Sequence, residues 1–505
     1  MNKEAKKKIL LLINQNEIYN IIEIGIRLKK KFKLVFFITD LYSSYDISRE
    51  SYNLIKNTFP ESEIYDYYYE LKNLNNEKKI NKIDFKSLKK FEDKLYSKSI
   101  ISNLLKDISL NNLYGNRELI YHPINKKIYY KIIDIVSKKI NYIFLKNKIY
   151  FVYSPNTLNF NRNLIGEICK SRQIPFFWIS QRILNFLFIT NLSDNNFSII
   201  EKIKKKINIS KIVMIKNLLK KKSNIIHNDK DLITFGDYIK KILKALTYYI
   251  KTFKNNYINY LKTSVKKNRP NYFSDKSPLK TSYYWLKKLV SIYFIQKYCL
   301  TDHAKKIEVI KKKKFIFYPL QVTPEAGVYD QSELYDQLFI IQKIAKKLPI
   351  DTFLVVKGHP SNFREFTDIE DLEWYKSINK IYNVILLSHH VNSSYLIKKA
   401  LATISVSGTA CLESNLIGKP SFLIGKTEFS GLYGIYNFND NFLKNIKKFN
   451  PKKLYKNNFY FNYIINNSVK MNNFNYADFT TPTNKSRFKY QYAFDFIANK
   501  LQAHL

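Results

Sequence analysis

The sequence has few of the residues that build disulfide frameworks, metal clusters or flexible linkers. Its 505 residues include 3 cysteines, 11 glycines and 13 prolines. Cys169, Cys299 and Cys411 are far apart and form no CxxC pair. This spacing argues against a structural zinc site and is typical of proteins in a reducing compartment. We also find no internal repeat of fixed period.

Long hydrophobic runs are absent as well. A transmembrane helix needs about 20 apolar residues in succession, and the best candidate, IPFFWISQRILNFLFITNL, is interrupted at its centre by Gln181 and Arg182. The basic start, MNKEAKKKILLLINQNE, has only a short apolar run and no small-residue cleavage site, so it predicts a buried strand and not a signal peptide. We therefore expect a soluble protein, at most peripheral to a membrane.

Acidic residues are scarce relative to basic ones. The 85 Lys and Arg against 41 Asp and Glu give a formal net charge of +44. Such an excess favours an anionic partner: nucleic acid, an acidic membrane face or a phosphorylated substrate. A genome-wide compositional bias is the alternative, because Lys, Asn, Ile and Tyr are all frequent together.

The length predicts two or three domains, and the first 200 residues have the pattern of one of them. The runs KILLLIN and KLVFFIT flank a segment with helical spacing, and YFVYS and PFFWIS flank a helix over residues 161–170. Apolar strands that alternate with amphipathic helices are typical of a parallel sheet covered on both faces. We therefore predict a Rossmann-like domain over 1–200.

The rest of the chain divides into three further parts. Basic amphipathic segments predict a helical insertion or connector over 201–305. From there to residue 440 the alternation returns with five predicted strands, KKFIFYPL, TFLVVKG, VILLS, ATISVS and PSFLIG. This is the pattern of a second, doubly wound α/β domain over 306–440. A helical tail is expected over 441–505.

Polar residues follow four of the predicted strands in the second domain. In open α/β sheets, ligands bind outside the carboxyl ends of the strands, so these residues are candidates for a binding site. They are Pro324–Glu325, Lys357–Pro360, Ser388–Asn392 and Ser407–Thr409.

The Ser407–Thr409 segment opens a predicted helix. A helix N-terminus offers unpaired N–H groups and a partial positive charge, which suit a phosphate. Gly408 allows close approach, the two hydroxyls can donate, and Glu413 could accept hydrogen bonds from a ribose. A simple N-cap is the alternative for Ser407. A lone histidine is often structural, but His359 ends a neighbouring strand, and its imidazole, protonated or as a neutral N–H donor, could reach the same phosphate.

These motifs, in this order, resemble the bacterial capsule polysaccharide biosynthesis protein family over about residues 313–430. The sequence departs from the family's commoner Lys-Glu-His-Pro at Gly358. The matching positions are Pro319, Leu320, Pro324, Glu325, Lys357, His359, Pro360, Gly408, Thr409 and Glu413.

The resemblance implies a GT-B glycosyltransferase, in which two Rossmann-like domains face a cleft. The first domain would bind the acceptor and the second the nucleotide sugar. Some members transfer Kdo from CMP-Kdo, so a CMP-linked donor is expected, with no metal or other cofactor.

The resemblance also implies roles for individual residues. His359, Ser407, Gly408 and Thr409 would hold the donor phosphate, His359 would also stabilise it as it leaves, and Glu413, Ser388 and His389 would lie near the ribose or base. A catalytic base for the acceptor hydroxyl should come from across the cleft or from the second domain. The candidates are Asp40 and Glu325, with Arg182 for an anionic acceptor; a surface or turn role is the alternative for each.

The expected function is therefore transfer of a sugar to a glycan or lipid-linked acceptor in capsule or surface polysaccharide synthesis. The expected place is the cytoplasm, at the face of the inner membrane, whose acidic surface is a further expected partner. A CDP-activated polyol-phosphate transferase of teichoic-acid-like polymers would use the same kind of site. A non-enzymatic scaffold is another alternative. A basic nucleic-acid-binding protein is the last; no helix-turn-helix, zinc finger or RNP motif supports specific nucleic-acid binding.

Overall fold

The structure is a computed structural model of the 505-residue chain. It describes residues 6–13, 17–39, 45–67, 83–97, 99–101, 126–155, 160–183, 186–191, 302–322, 336–359, 372–427, 429–458, 468–470 and 490–503, with single residues at 243, 294, 295, 332, 334 and 460.

The first sheet has seven strands and contains the predicted N-terminal Rossmann-like unit. Its strands are β1 (Lys8–Ile13), β2 (Lys33–Ile38), β3 (Glu63–Tyr65), β4 (Ile149–Ser154), β5 (Phe176–Ile183), β6 (Phe186–Asn191) and β13 (Ser468–Lys470). The helices are α1 (Ile18–Leu28), α2 (Tyr45–Thr58), α3 (Phe85–Glu92), α4 (Lys126–Lys146) and α5 (Phe160–Ser171).

The second sheet has six strands, all parallel. They are β7 (Lys314–Pro319), β8 (Thr352–Lys357), β9 (Val384–Leu387), β10 (Thr403–Ser405), β11 (Ser421–Leu423) and β12 (Ile435–Asn437). The helices are α6 (His303–Lys312), α7 (Gln337–Ala345), α8 (Leu372–Asn379), α9 (Ser393–Lys399), α10 (Ala410–Leu416) and α11 (Phe442–Lys448), followed by a 3₁₀ helix at Pro451–Asn457.

Both sheets have the strand order of a Rossmann-like unit. The order is β3-β2-β1-β4-β5 in the parallel part of the first sheet and β9-β8-β7-β10-β11-β12 in the second. Each sheet separates two hydrophobic clusters, one on each face, which explains why the central strands are continuous apolar runs. The expected α/β class with two Rossmann-like sheets is confirmed.

The tempting membrane candidate is part of the first sheet. It contains β5 and β6, which pair antiparallel from Phe177 opposite Asn191 to Ile183 opposite Phe186. In the described part of the chain, no helix is long and apolar enough to cross a bilayer.

The second sheet has one strand more than the sequence predicted. PSFLIG was expected to be the last strand, but β12 pairs in parallel with β11 beyond it. That prediction was wrong because β12 is only three residues long, IYN, and carries no periodic signal. Most of the predicted connector, 201–305, lies outside the described residues.

The C-terminal segment returns to the first sheet. Strand β13 pairs antiparallel with β6, and the last helix, α12 (Gln491–Gln502), packs on α1. Arg27 of α1 joins the two helices: its Nε donates to Asp495 Oδ1 at 2.6 Å, it also contacts Gln491, and its carbonyl accepts from Gln502 Nε2 at 3.1 Å. Helix α12 is thus part of the N-terminal core, whereas α11, at the start of the predicted tail, packs on the second sheet.

A buried ion pair lies between α1 and α5. Arg162 is fully buried and Glu17 is 3% exposed, and Arg162 Nη2 lies 2.6 Å from Glu17 Oε2. Arg162 Nε also donates to Thr39 Oγ1 at 3.2 Å, and Asn161 Nδ2 donates to the Thr39 carbonyl. These bonds tie α5 to the residues that follow β1 and β2.

Removing one partner of this pair should destabilise the protein strongly, because it leaves the other charge buried without compensation. We expect Arg162→Met to lower the free energy of unfolding by about 3–5 kcal/mol, measured by urea denaturation. The double variant Glu17→Gln/Arg162→Met should recover much of the loss. Arg172→Met, at an exposed arginine just after α5, is the control; equal unfolding curves for Arg162→Met and this control would contradict the prediction.

Candidate functional site

The strand ends of the second sheet meet where its strand order reverses. From β7 the chain continues to β8 and β9 on one side and then to β10, β11 and β12 on the other. Polar residues that follow β7, β8, β9 and β10 therefore lie along one carboxyl edge. Ligands of doubly wound folds bind at such a switch point, so this edge is the candidate site.

Lys357 is the last residue of β8, and its side chain is only 5% exposed. Burial lowers the pKa of its ammonium group to about 8, while the negative charge of Glu413 acts in the opposite direction. Among the residues that the structure describes, the ammonium has no hydrogen-bonding partner. At neutral pH it is nevertheless mainly charged, so an anion at this edge would be strongly favoured.

His359 follows two residues later, after Gly358, whose N–H donates to the Leu387 carbonyl at 3.1 Å. Burial and, as the smaller cause, the nearby positive charge of Lys357 together lower the pKa of the imidazole to about 4. His359 is therefore neutral at physiological pH and can act as a neutral N–H donor. Of the two forms considered from the sequence, protonated or N–H-donating, the structure favours the second.

Glu413 lies in α10 and interacts electrostatically with Lys357. This places a carboxylate of α10 near the end of β8, on the other side of the switch point. The structure thus adds to the predicted ribose contact of Glu413 a second role, as counter-charge to a buried lysine.

Gln321 holds the loop between β10 and α10. Its Oε1 accepts from the Ser407 N–H at 3.1 Å and its Nε2 donates to Ser407 Oγ at 3.3 Å. Gln337, the first residue of α7, fixes Gln321 in turn: its Oε1 accepts from Gln321 N at 2.8 Å and its Nε2 donates to the Gln321 carbonyl at 3.0 Å. The two glutamines therefore link the ends of β7 and β10.

Gly408 fits closely against the end of β10. Its N–H donates to Ser405 Oγ at 3.0 Å, and a Cβ at this position would lie 2.6 Å from the same oxygen. The N–H groups of Ser407 and Gly408 are thus engaged within the protein. Thr409 is exposed and is the N-cap of α10, with no hydrogen bond from its side chain to the helix. The alternative of Ser407 as N-cap is therefore wrong.

The loop after β9 brings further polar groups to the edge. Ser388 and His389 are buried, with Ser388 Oγ 3.4 Å from His389 Nδ1. The His390 N–H donates to Ser388 Oγ at 3.3 Å, and the two imidazole rings lie 3.9 Å apart between centroids. Asn392 caps α9 by accepting from Ser394 N at 2.8 Å.

Three predicted residues are not placed by the structure. Asp40 and Glu325, the candidates for the base, lie outside the described residues. Arg182 is the penultimate residue of β5, and its side chain is outside the description as well. Their roles remain predictions.

Two residues of the edge were not assigned a role from the sequence. Lys357 was noted only as part of a motif, although a lysine that ends an apolar run, TFLVVK, is a signal of burial. Gln321 had no signal of its own, because a glutamine after a strand is ordinary and its partners Ser407 and Gln337 are distant in sequence.

In the described part of the chain, no group of three or more His, Cys, Asp or Glu could hold a metal ion.

A family model described as "Capsule polysaccharide biosynthesis protein" matches residues 203–470. The match covers just over half of the chain and includes every element of the carboxyl edge described above. The chain belongs to the capsule polysaccharide biosynthesis protein family. A search of curated proteins found no match.

Solved structures similar to this family member are remote. Thermosulfurimonas dismutans KpsC, a β-Kdo 2,7 transferase, has 10% identity and a TM-score of 0.27, covering 60% of this chain and 73% of that chain. A glycosyltransferase from Rickettsia africae has 11% identity and a TM-score of 0.25, covering 98% and 99%. Anabaena Alr3699/HepE in complex with UDP and glucose has 10% identity and a TM-score of 0.22, covering 98% and 100%. Likenesses at this level carry no weight for function.

The fit of Gly408 against Ser405 predicts a steric penalty for a side chain. We expect Gly408→Ala to lower the free energy of unfolding by about 1–3 kcal/mol, because the added Cβ meets Ser405 Oγ, and we would measure it by urea denaturation. Removing that oxygen in Ser405→Ala/Gly408→Ala should make the second change nearly neutral against a Ser405→Ala background. Simple additivity of the two substitutions would contradict the contact.

The lowered pKa of His359 predicts a pH dependence of stability. Between pH 6.5 and about 4 the unfolded chain binds a proton at this histidine and the folded protein does not, so stability rises with pH in this window and is unaffected above it. Relative to His359→Gln, the wild type should lose about 2–3 kcal/mol on going from pH 7 to 4.5. Urea unfolding of both proteins at the two pH values measures this; parallel pH profiles would show that His359 titrates normally.

Proposed function

We propose that this family member is a glycosyltransferase that transfers a sugar from a nucleotide donor, and that it binds the donor phosphate at the carboxyl edge of the second sheet. The observation that carries the proposal is Lys357, a buried ammonium at the switch point with no hydrogen-bonding partner among the described residues. Burial of a cation is unfavourable unless an anion compensates it. A phosphate bound here would supply that compensation.

The residues around Lys357 suit a departing phosphate. The Lys357 ammonium would provide the positive charge, and the neutral imidazole of His359 would donate a hydrogen bond without adding a second positive charge. Together they would stabilise the negative charge that develops on the phosphate when the bond between the donor sugar and the phosphate oxygen breaks. We infer that these protein groups serve in place of a metal ion, and that Lys357 and His359 are the principal contacts.

The loop that follows β10 would complete the donor site. Gln321 fixes Ser407, and Gly408 keeps the backbone close to the end of β10. The exposed Thr409 hydroxyl would then donate to the phosphate, and Ser388 and His389 would lie near the base on the other side. Because the N–H groups of Ser407 and Gly408 are engaged, we assign these two residues to shaping the loop and Thr409 to direct contact.

The remaining features are proposed by analogy with the family. Capsule synthesis requires an acceptor that is a growing glycan or a lipid-linked precursor, and we assign the acceptor to the N-terminal sheet with Arg182 near an anionic group. Asp40 or Glu325 would act as the base that takes the acceptor's hydroxyl proton. A CMP-linked donor, Kdo-like in type, is our first choice, and the cytoplasmic side of the inner membrane is the place of reaction.

Thermal-shift binding of CMP, CDP, UDP, GDP and ADP tests the donor site. We expect one nucleotide to stabilise the wild type, and Lys357→Met to weaken its affinity by about 10–100-fold, because a charge-assisted bond to phosphate is lost. His359→Gln, which keeps a neutral donor, should bind more tightly than His359→Ala. Lys380→Met, at an exposed lysine at the opposite end of the sheet, is the matched control.

Each outcome discriminates between functions. CMP alone supports a Kdo-like donor, CDP supports transfer of a polyol phosphate, and UDP or GDP supports a hexose donor. If no nucleotide stabilises the wild type, or if Lys357→Met binds as well as Lys380→Met, the carboxyl edge is not a donor site and the proposal fails.

A further inference from the structure

Two apolar side chains extend into solvent at the amino edge of the second sheet, at the other end of the strands from the donor site. The Thr352 N–H donates to the Pro349 carbonyl at 3.0 Å, and the Val384 N–H donates to the Ile381 carbonyl at 3.1 Å. Each bond closes a tight turn just before a strand. Ile350 lies at the centre of the first turn and Tyr382 at the centre of the second. Because β8 and β9 are neighbouring parallel strands, the turns lie side by side.

The exposure of these two side chains is unusual for this protein. Ile350 is 95% and Tyr382 92% exposed, whereas no other large apolar side chain in the described part of the chain exceeds 70%. A single exposed apolar residue needs no explanation. Two at the tips of neighbouring turns, called the apolar patch below, would gain from an apolar environment outside the protein.

Exposed lysines lie along the same edge. In a doubly wound unit every helix ends at the amino edge, and here α6, α7, α8 and α9 all end next to exposed lysines. Ion pairs engage Lys311, Lys314 and Lys347, with Glu308, Asp351 and Asp440 respectively. Five further exposed lysines form no ion pair within 4 Å among the described residues, although the charges of two of them act on Glu308 and Glu373. These five are Lys312, Lys313, Lys346, Lys380 and Lys399.

The helix dipole accounts for only part of this charge. It favours a lysine in the last turn of each helix, but it gives no reason for cations to lie against one another. Burial and, as the smaller cause, the charge of Lys399 nevertheless lower the pKa of Lys419, so the two cations act on each other. Ile350, Tyr382 and the five lysines without an ion pair are called the basic edge below.

We propose that the basic edge is a docking surface for an anionic lipid bilayer. Insertion of an apolar tip at the headgroup boundary and attraction of lysines to anionic headgroups are the two contributions to interfacial binding. Tyrosine is favoured at that boundary, because its ring is apolar and its hydroxyl remains hydrated. A purely anionic polymer such as nucleic acid would use the lysines but leave Ile350 without a favourable contact.

The location of the basic edge is compatible with the candidate site. Strand β8 separates Thr352 at the amino edge from Lys357 at the carboxyl edge, a distance of roughly 17 Å for an extended strand. A bilayer on the basic edge would therefore leave the carboxyl edge open. The inference does not depend on which donor binds there.

Co-sedimentation of the full chain with lipid vesicles tests the proposal. We expect binding to vesicles of phosphatidylcholine mixed with phosphatidylglycerol, weaker binding to phosphatidylcholine alone, and a decrease as salt is added. Ile350→Asp/Tyr382→Asp should weaken the partition coefficient by about 10-fold or more. Phe339→Asp is the matched control, since Phe339 is 50% exposed in the first turn of α7 at the opposite edge of the same sheet.

A second pair of variants separates this surface from the general positive charge of the protein. Lys312→Gln/Lys313→Gln/Lys346→Gln should also reduce binding, whereas Lys30→Gln/Lys31→Gln/Lys33→Gln, which removes equal charge from exposed lysines beside the first sheet, should not. Equal losses in the two triple variants would show that binding is non-specific and would overturn the proposal.

Two further results would also overturn it. One is vesicle binding that is insensitive to Ile350→Asp/Tyr382→Asp. The apolar tips would then not insert into the bilayer, and the lysines alone would bind anions, as they would bind an anionic polymer. The other is a dimer in solution, detected by light scattering, that the same double variant dissociates; the patch would then contact a second copy of the chain. Neither result bears on nucleotide binding at Lys357, so failure here is distinct from failure of the proposed function.

Discussion

Parallel pairing of β8 between β7 and β9 is the interaction on which the candidate site depends. In this register Lys357 lies opposite Pro319 on one side and Leu387 on the other. A shift by one residue would turn the lysine to the other face of the sheet. The apolar residues of β8 oppose such a shift, because Leu354 and Val356 pack in the cluster on one face and Val355 in the cluster on the other, and a shift would exchange them. The hydrophobic core therefore fixes where the charged residue lies.

This arrangement places a buried positive charge at the carboxyl edge. Burial disfavours the charge of Lys357 and Glu413 supports it, whereas burial and the charge of Lys357 both lower the pKa of His359. Burial and the neighbouring ammonium together keep the imidazole neutral. The result is one charged and one neutral donor at the same strand end, a combination suited to an anion whose charge grows during a reaction.

The path of the chain couples the two ends of the sequence. Strand β13 and helix α12 complete the first sheet, although they follow the whole second sheet in sequence. Helix α1 leaves an apolar face that α12 covers, and Arg27 bonds to both ends of α12. The N-terminal core is therefore complete only when the C-terminal segment is in place. The chain leaves the first sheet before it forms the second sheet and returns to the first sheet afterwards.

The sequence by itself determined the α/β class, the strands that are continuous apolar runs, and the line of strand ends that carries His359, Ser388 and Ser407, because buried parallel strands leave a strong and local pattern. Only the tertiary structure decided the elements whose signal is short or non-local. Strands β12 and β13 have three residues each, and β6 was hidden in an apolar run that folds back on β5. The burial of Lys357, the bond between Gln321 and Ser407, and the pairing of Arg162 with Glu17 join residues far apart in sequence. Such contacts depend on which strands become neighbours, and no local pattern records that choice.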